Sequence, residues 1–180
     1  VTAARDMARE GLVTGSVGNV SARTAGGFLI TPTRVEYERM TADGLAFVGL
    51  DGAAASGSGE PSRESPLHAA IYRARADVGA IVHTHSVHAT AWSFLPEPLG
   101  PPIEEIEYYG IGPIRTSEPA PAGSLALAGN AVLALGGGLA ALLGRHGVVS
   151  VGATPQEALT VARVVELQAH VAWLLRGHAT

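Results

Sequence analysis

The sequence predicts one layered α/β domain, with a sheet covered by helices on its faces. Three observations carry that expectation. Segments of strand and helix pattern alternate along the chain, and neither an internal repeat nor a break in composition divides it. Its 180 residues suit one domain, enough to bury roughly two thirds of the surface that the unfolded chain would expose.

The elements follow in order. Residues 2–11 set Ala3, Met7 and Ala8 on one face opposite charges, a helical pattern that would close at Gly11. A Gly-rich turn at 15–21 leads into GGFLITPT, where Phe28, Leu29 and Ile30 read as a buried strand stopped by Pro32. LAFVGL at 45–50 is a second strand ending at the Asp51-Gly52 turn, and the small, polar segment 53–60 is a loop. From Pro66 to Ala76 the spacing of Leu67, Ala70, Ile71 and Ala74 is helical. VGAIVHTH at 78–85 suits a buried strand, and a helix is expected over Ser86 to Phe94. The Pro-rich stretch 96–102, the acidic EEIEYY and the Pro-rich 113–121 predict an irregular region. A helical pattern then runs from Ser124 to about Leu135, followed by a strand pair around AALLGRHGVVSVG. The longest helix is expected from Thr154 or Pro155 to about Leu175. Thr154, Pro155 and Glu157 there supply an N-cap hydroxyl, a first-position proline and a carboxylate at the third position.

Composition narrows the chemistry. With no cysteine, a transition metal can be held only by imidazole and carboxylate, and the chain suits a reducing cytoplasm. A net charge of -4, a pI near 6.0 and twelve scattered cationic residues, all Arg, leave no basic footprint and argue against nucleic acid. Gly, His or Arg interrupts the apolar stretches short of the roughly 18–20 residues of a membrane span, so no membrane partner is expected. No signal peptide or anchor is legible. Val1 enters a helical pattern without a cap or an initiator Met, which fits a piece of a longer protein and leaves targeting open.

The sharpest local feature is His83-Thr84-His85 at the end of an apolar strand. Residues two apart on a strand share a side and lie roughly 6.5 Å apart, so the two imidazoles can share a metal; equally, one can cap the strand while the other stays partly exposed. His146, in RHGVV, is a third candidate or a satisfied turn histidine. Glu64, in PSRES, is a carboxylate at a helix start that the dipole alone would stabilise. Three protein ligands with one open position form a common catalytic zinc site, but spacing alone does not bring these four residues together. His68 and His88 read as packing or orienting groups, and His170 and His178 as structural or exposed.

Six blocks in order carry a resemblance: GLVTGSVGNVS, FLITPT, YERMT, PSRESPLHAAIYRARADVGAIVHTHSVHATAWS, LLGRHGVVSVG and ATPQEALTVARVVE. Together they resemble the class II aldolase and adducin-like family over nearly the whole chain. The resemblance implies a three-layer α/β/α sandwich with a mixed, largely antiparallel sheet, and a homotetramer with active sites shared between subunits. It also implies a catalytic Zn²⁺ held by His83, His85 and His146. Glu64 matches the general acid and base of the family's aldolases; the family's epimerases carry Asp there, so Glu favours carbon-carbon cleavage over epimerisation.

Gly18, Asn19, Thr33 and Ser62 match the family's phosphate cradle, and each is otherwise an ordinary turn residue. Arg34 stands where the aldolases have Gly, and Arg63 where they have a second Ser; a guanidinium at either place can bind phosphate or carboxylate, or face solvent or a neighbouring subunit. The family's catalytic tyrosine aligns near Glu104 or Glu105, with Tyr108 and Tyr109 a few residues on, either reaching a neighbouring subunit's site or packing at an interface. The expected activity is a zinc-dependent carbon-carbon lyase acting on a sugar phosphate or keto acid. Decarboxylation of a 3-oxo sugar acid phosphate, 4-epimerisation and a non-catalytic adducin-like module are the alternatives.

Overall fold

The structure is a computed structural model that describes residues 1–56 and 58–178; Gly57, in the expected 53–60 loop, and the side chain of His178 lie outside the described residues. Its strands are β1 (Asn19–Thr24), β2 (Gly27–Ile30), β3 (Ala46–Gly49), β4 (Ala80–Thr84), β5 (Arg115–Thr116), β6 (Ala140–Leu143) and β7 (Gly147–Gly152). They form one sheet in the order β3-β2-β1-β4-β7-β6-β5, with every neighbouring pair antiparallel except the parallel β5–β6 edge. The helices are α1 (Thr2–Arg9), α2 (Ser65–Ala74), α3 (Val87–Trp92), α4 (Glu104–Tyr108), α5 (Leu125–Leu135) and α6 (Pro155–His178).

Strand alternation divides the core in two. Phe28, Ile30, Ile81 and Val149 face α2 and α5, where they meet Leu67, Ile71, Leu127 and Ala131. Val20, Ala80 and Val82 face the other way onto Met7 of α1 and Ala158 and Ala162 of α6. Leu142 and Val148, also on that side, pack with Trp92 of α3 and Val165 and Ala169 of α6. The result is a three-layer α/β/α sandwich. His83, two residues after Ile81, therefore points from the centre of the sheet toward the α2 layer, paired across the ladder with Asn19 of β1 and Val149 of β7.

Where structure and expectation differ, the reasons are physical. Residues 19–24 belong to β1 and are only partly the expected turn; Asn19 and Ser21 point into a buried polar network, so the strand lacks an apolar alternation. The irregular region holds the five-residue α4 and the two-residue β5, both too short to generate a period. The longest helix starts as expected: Thr154 Oγ1 accepts from the Glu157 N–H at 3.2 Å, and the Glu157 carboxylate accepts from the Ala153 N–H at 3.0 Å. The expectation that no segment is long and apolar enough to span a membrane needs correction, because Pro155–Gly177 meets both criteria with a mean hydropathy of 1.3. Half of that window is buried, as its apolar residues cover β4 and β7.

Candidate active site

Two neighbouring strands and one helix start converge on a single point. His83 ends the apolar part of β4, His85 follows two residues later, and His146 sits in the tight turn from β6 to β7, just after Arg145 in the left-handed region at φ 59°. Glu64 is the N-cap residue of α2, delivered by a loop that hydrogen-bonds to the end of β2 through Ser62 N–H and Thr31 C=O at 3.3 Å. The three imidazoles form a nearly equilateral triangle, with ring centroids 4.8, 4.9 and 4.9 Å apart and planes steeply inclined to one another. Glu64 Oε2 lies 2.8 Å from His83 Nε2, and Glu64 Oε1 lies 3.3 Å from His146 Nε2. One donor atom from each of the four residues falls within 4.8 Å of every other.

Hydrogen bonds orient these groups. His83 Nδ1–H donates to the Val148 carbonyl at 2.8 Å, so in the neutral ring Nε2 is bare and aimed at His85 Nε2, 2.9 Å away. A backbone acceptor on the far ring nitrogen is the outer contact that metal-binding histidines ordinarily make. Glu64 Oε1 is buried and makes no hydrogen bond, its contact with His146 being a charge approach without hydrogen-bond geometry. Convergent imidazole nitrogens beside an unsatisfied carboxylate oxygen are the donor set of a divalent transition-metal site, so the residues fit such an ion.

The charges are coupled. Burial pushes the Glu64 carboxyl up, but the charge and hydrogen bond of His83, then His146 and Asn19, outweigh it and hold Glu64 well below the usual carboxylate range. Burial lowers His83, and the neighbouring Glu64 more than reverses this. Burial and then the charge of His83 lower His146, and the same causes take His85 to about 4. The cluster thus draws one positive charge to its centre and repels a second proton.

Glycine makes the close approach possible. A Cβ on Gly147 would stand 2.3 Å from the Thr84 carbonyl oxygen, 3.2 Å from His85 Cδ2 and 3.3 Å from His83 Cε1; one on Gly18, at φ 76°, would stand 2.7 Å from the His83 carbonyl oxygen. Gly147→Ala is therefore expected to part β4 from β7, lower stability by about 1–3 kcal/mol and displace both imidazoles. By contrast, Gly129→Ala, inside α5 with nothing within 4 Å of its Cβ, should raise stability by about 1 kcal/mol. Thermal melts of the two variants check both signs.

The remaining expected site residues are placed less uniformly. Gly18, Asn19 and Ser62 lie beside Glu64, and Thr33 is held next to them by its N–H bond to the Glu60 carbonyl and by the Pro32–Pro61 bridge. Both hydrogens of the buried Asn19 amide are used internally, on Ser62 Oγ and Glu64 Oε2, so its side chain supports the carboxylate and is not free to take an external phosphate. Arg34, at φ 58°, and Arg63 are exposed and have no ion-pair partner among the described residues. Tyr108 and Tyr109 are not brought to the cluster. Tyr109 lines a cavity of about 430 Å³ with Val78 and Gly152, at the end of β4 roughly 15 Å from His83 along the strand. They are exposed at 79% and 45%, on the outside of the chain, as either expected role, reaching a neighbouring subunit's site or packing at an interface, requires.

His68 is fully buried beside Asn19, 2.5 Å from it, and His88 pairs with Glu166 at 2.7 Å while stacking on His170, so both orient neighbours. Ser21 and Tyr72, which continue the contacts of His68, went unnoticed in the sequence because a polar strand residue and a helical tyrosine carry no local signal.

Known proteins share this sequence pattern and fold. The family model for the class II aldolase and adducin N-terminal domain matches residues 1–173. An L-fuculose phosphate aldolase of Escherichia coli O6:H1 is 37% identical over 166 residues, 92% of this chain and 77% of that enzyme. The 5-methylthioribulose-1-phosphate/5-deoxyribulose-1-phosphate aldolase of Rhodospirillum rubrum is 33% identical over 173 residues, 96% of this chain and 78% of that one. Among solved structures, an L-fuculose 1-phosphate aldolase superposes with a TM-score of 0.91 at 27% identity, covering 99% of this chain and 85% of that one. Identity at this level along nearly the full length, on a backbone shared to the same extent, exceeds chance convergence, and the chain belongs to the class II aldolase and adducin family as a metal-dependent lyase of the aldolase type.

Proposed function

We propose that this chain is a zinc-dependent aldolase that cleaves a small phosphorylated hydroxy-ketone, with His83, His85 and His146 as metal ligands and Glu64 as the proton shuttle. The observation that carries the reading is the triangle of imidazoles with one buried carboxylate at its edge. When bound, the divalent cation supplies a fixed positive charge that stabilises the enediolate left as the carbon-carbon bond breaks. Three neutral imidazoles neutralise none of that charge. Glu64, ionised at rest and held by Asn19, takes the proton of the substrate hydroxyl as the carbon-carbon bond breaks and passes it to the enediolate carbon; in synthesis it removes the proton from that carbon and returns it to the new hydroxyl.

The substrate class follows from the rim and the relatives. Gly18, Thr33 and Ser62 offer small donors on adjoining loops, and the unpaired guanidiniums of Arg34 and Arg63 supply positive charge for a phosphate. Both aldolases named above act on ketose phosphates by their names. The same two arginines also favour a second reading, in which one holds a carboxylate and the enediolate arises by loss of CO₂. A homotetramer with sites completed between subunits, in which Tyr108 or Tyr109 serves a neighbour, belongs to the same proposal, as does a place in the cytoplasm, where phosphorylated sugars are found.

The test is zinc per chain on purified protein, then a screen of L-fuculose 1-phosphate, 5-methylthioribulose 1-phosphate and 3-oxo acid phosphates for aldehyde or CO₂. One zinc with aldehyde release supports the aldolase, and CO₂ release moves the reading to the decarboxylase. Protein that neither retains nor rebinds zinc sinks both.

A further inference from the structure

A chain of buried hydrogen bonds runs from Glu64 into the core. Asn19 Nδ2 donates to Glu64 Oε2 at 3.2 Å and to Ser62 Oγ at 3.1 Å, while Asn19 Oδ1 lies 2.5 Å from His68 Nε2. His68 Nδ1 lies 2.6 Å from Ser21 Oγ, which in turn is 2.8 Å from the Tyr72 hydroxyl. Asn19, Ser21, His68 and Tyr72 are all buried, where losing a hydrogen-bond partner is costly.

The direction of this chain is determined by what each atom can do. An amide oxygen only accepts, so the proton must sit on His68 Nε2. Burial, then the charge of His83, lowers the His68 pKa to about 3, so the ring is neutral and has that one N–H alone. Nδ1 is then a bare acceptor for the Ser21 hydroxyl, and the Ser21 oxygen is left to accept from Tyr72. Every proton points toward Glu64.

The opposite tautomer would reverse the outcome. With the proton on Nδ1, a bare Nε2 would face Asn19, whose amide would turn over to donate to it. Asn19 Oδ1 would then stand against the Glu64 carboxylate, oxygen against oxygen. One proton on a core imidazole therefore decides whether Glu64 meets a donor or a lone pair.

We infer that His68 is a positioning residue for the reaction: its Nε2–H tautomer, which Ser21 and Tyr72 accommodate on the far side of the ring, locks the Asn19 amide in the orientation that holds Glu64 in place for carbon protonation. The inference rests on Glu64 being the proton shuttle. His68 touches neither the candidate metal ligands nor the substrate rim, so its loss acts on the geometry of proton transfer.

The test uses the full zinc-loaded chain. Long-range ¹H–¹⁵N spectra of histidine-labelled wild type should show His68 as the neutral Nε2–H tautomer near neutral pH; an Nδ1–H tautomer or a cationic ring overturns the inference without reference to activity. Kinetics on L-fuculose 1-phosphate then compare wild type, His68→Leu, His68→Gln and Glu64→Gln. His68→Leu should lower kcat by roughly 100-fold, the cost of a slightly misplaced group, with zinc content and KM little changed. His68→Gln, whose amide can donate to Asn19 Oδ1, should recover most of that loss. A rise in KM at constant kcat, or equal losses in the Leu and Gln variants, overturns the role. If Glu64→Gln is inactive while His68→Leu turns over like wild type, the inference alone fails; if Glu64→Gln itself turns over like wild type, the proton-shuttle reading fails with it.

Discussion

Glu64→Gln will lower kcat by about 10²–10⁴-fold, the usual contribution of a positioned proton-transfer group, while the zinc content stays at that of the wild type. Glutamine keeps the shape of the side chain and can still occupy the place beside Asn19 and His83, so packing at the start of α2 changes little. What disappears is the ability to exchange a proton with carbon. Charge is removed as well, which ends the attraction that raises His83 and leaves burial free to lower it. The three imidazoles are thereby kept in the neutral form that binds a cation. Steady-state kinetics beside metal analysis separate the two effects, and a loss of zinc equal to the loss of turnover would make Glu64 a ligand in place of a shuttle.

His83→Ala will have the larger effect on metal, with zinc retention and turnover both falling, turnover to background. His83 is the central ligand candidate: it is fully buried, its Nε2 is within 2.9 Å of both His85 Nε2 and Glu64 Oε2, and its Nδ1 is tied to the backbone of β7. Altering an outer contact of a metal-binding histidine typically costs about 10–100-fold in affinity or activity, and removing the ligand itself should cost more. Metal analysis after dialysis against a weak chelator is the check, and full zinc retention would remove His83 from the ligand set. Folding should survive, because the apolar ladder around residue 83 is kept by Ile81, Val149 and Val151.

Much of the fold was legible because its elements are strongly patterned. The apolar run before His83 and the strand pair around His146 stood out, and Thr154, Pro155 and Glu157 marked the start of α6. β1 was only partly legible, since Asn19 and Ser21 trade apolar side chains for hydrogen bonds with His68 and Glu64. Of the site, a shared face for His83 and His85 followed from the strand period, whereas His146 and Glu64 were separate local candidates that only the family resemblance joined to them. No local pattern places Tyr109, which lies by the start of β4, away from His83 at its other end.

The alternation of strands and helices, the absence of thiolate ligands and the side-by-side histidines of β4 are written in the chain itself, because they depend on composition and on periods of two or a few residues. Long-range folding is what brings an imidazole from the β6–β7 turn and a carboxylate from the start of α2 to meet them, sets Asn19 against the carboxylate and puts His68 against Asn19. Those contacts join residues far apart in the chain, and their energies arise when antiparallel pairing brings β1, β4 and β7 together and burial removes the competing water.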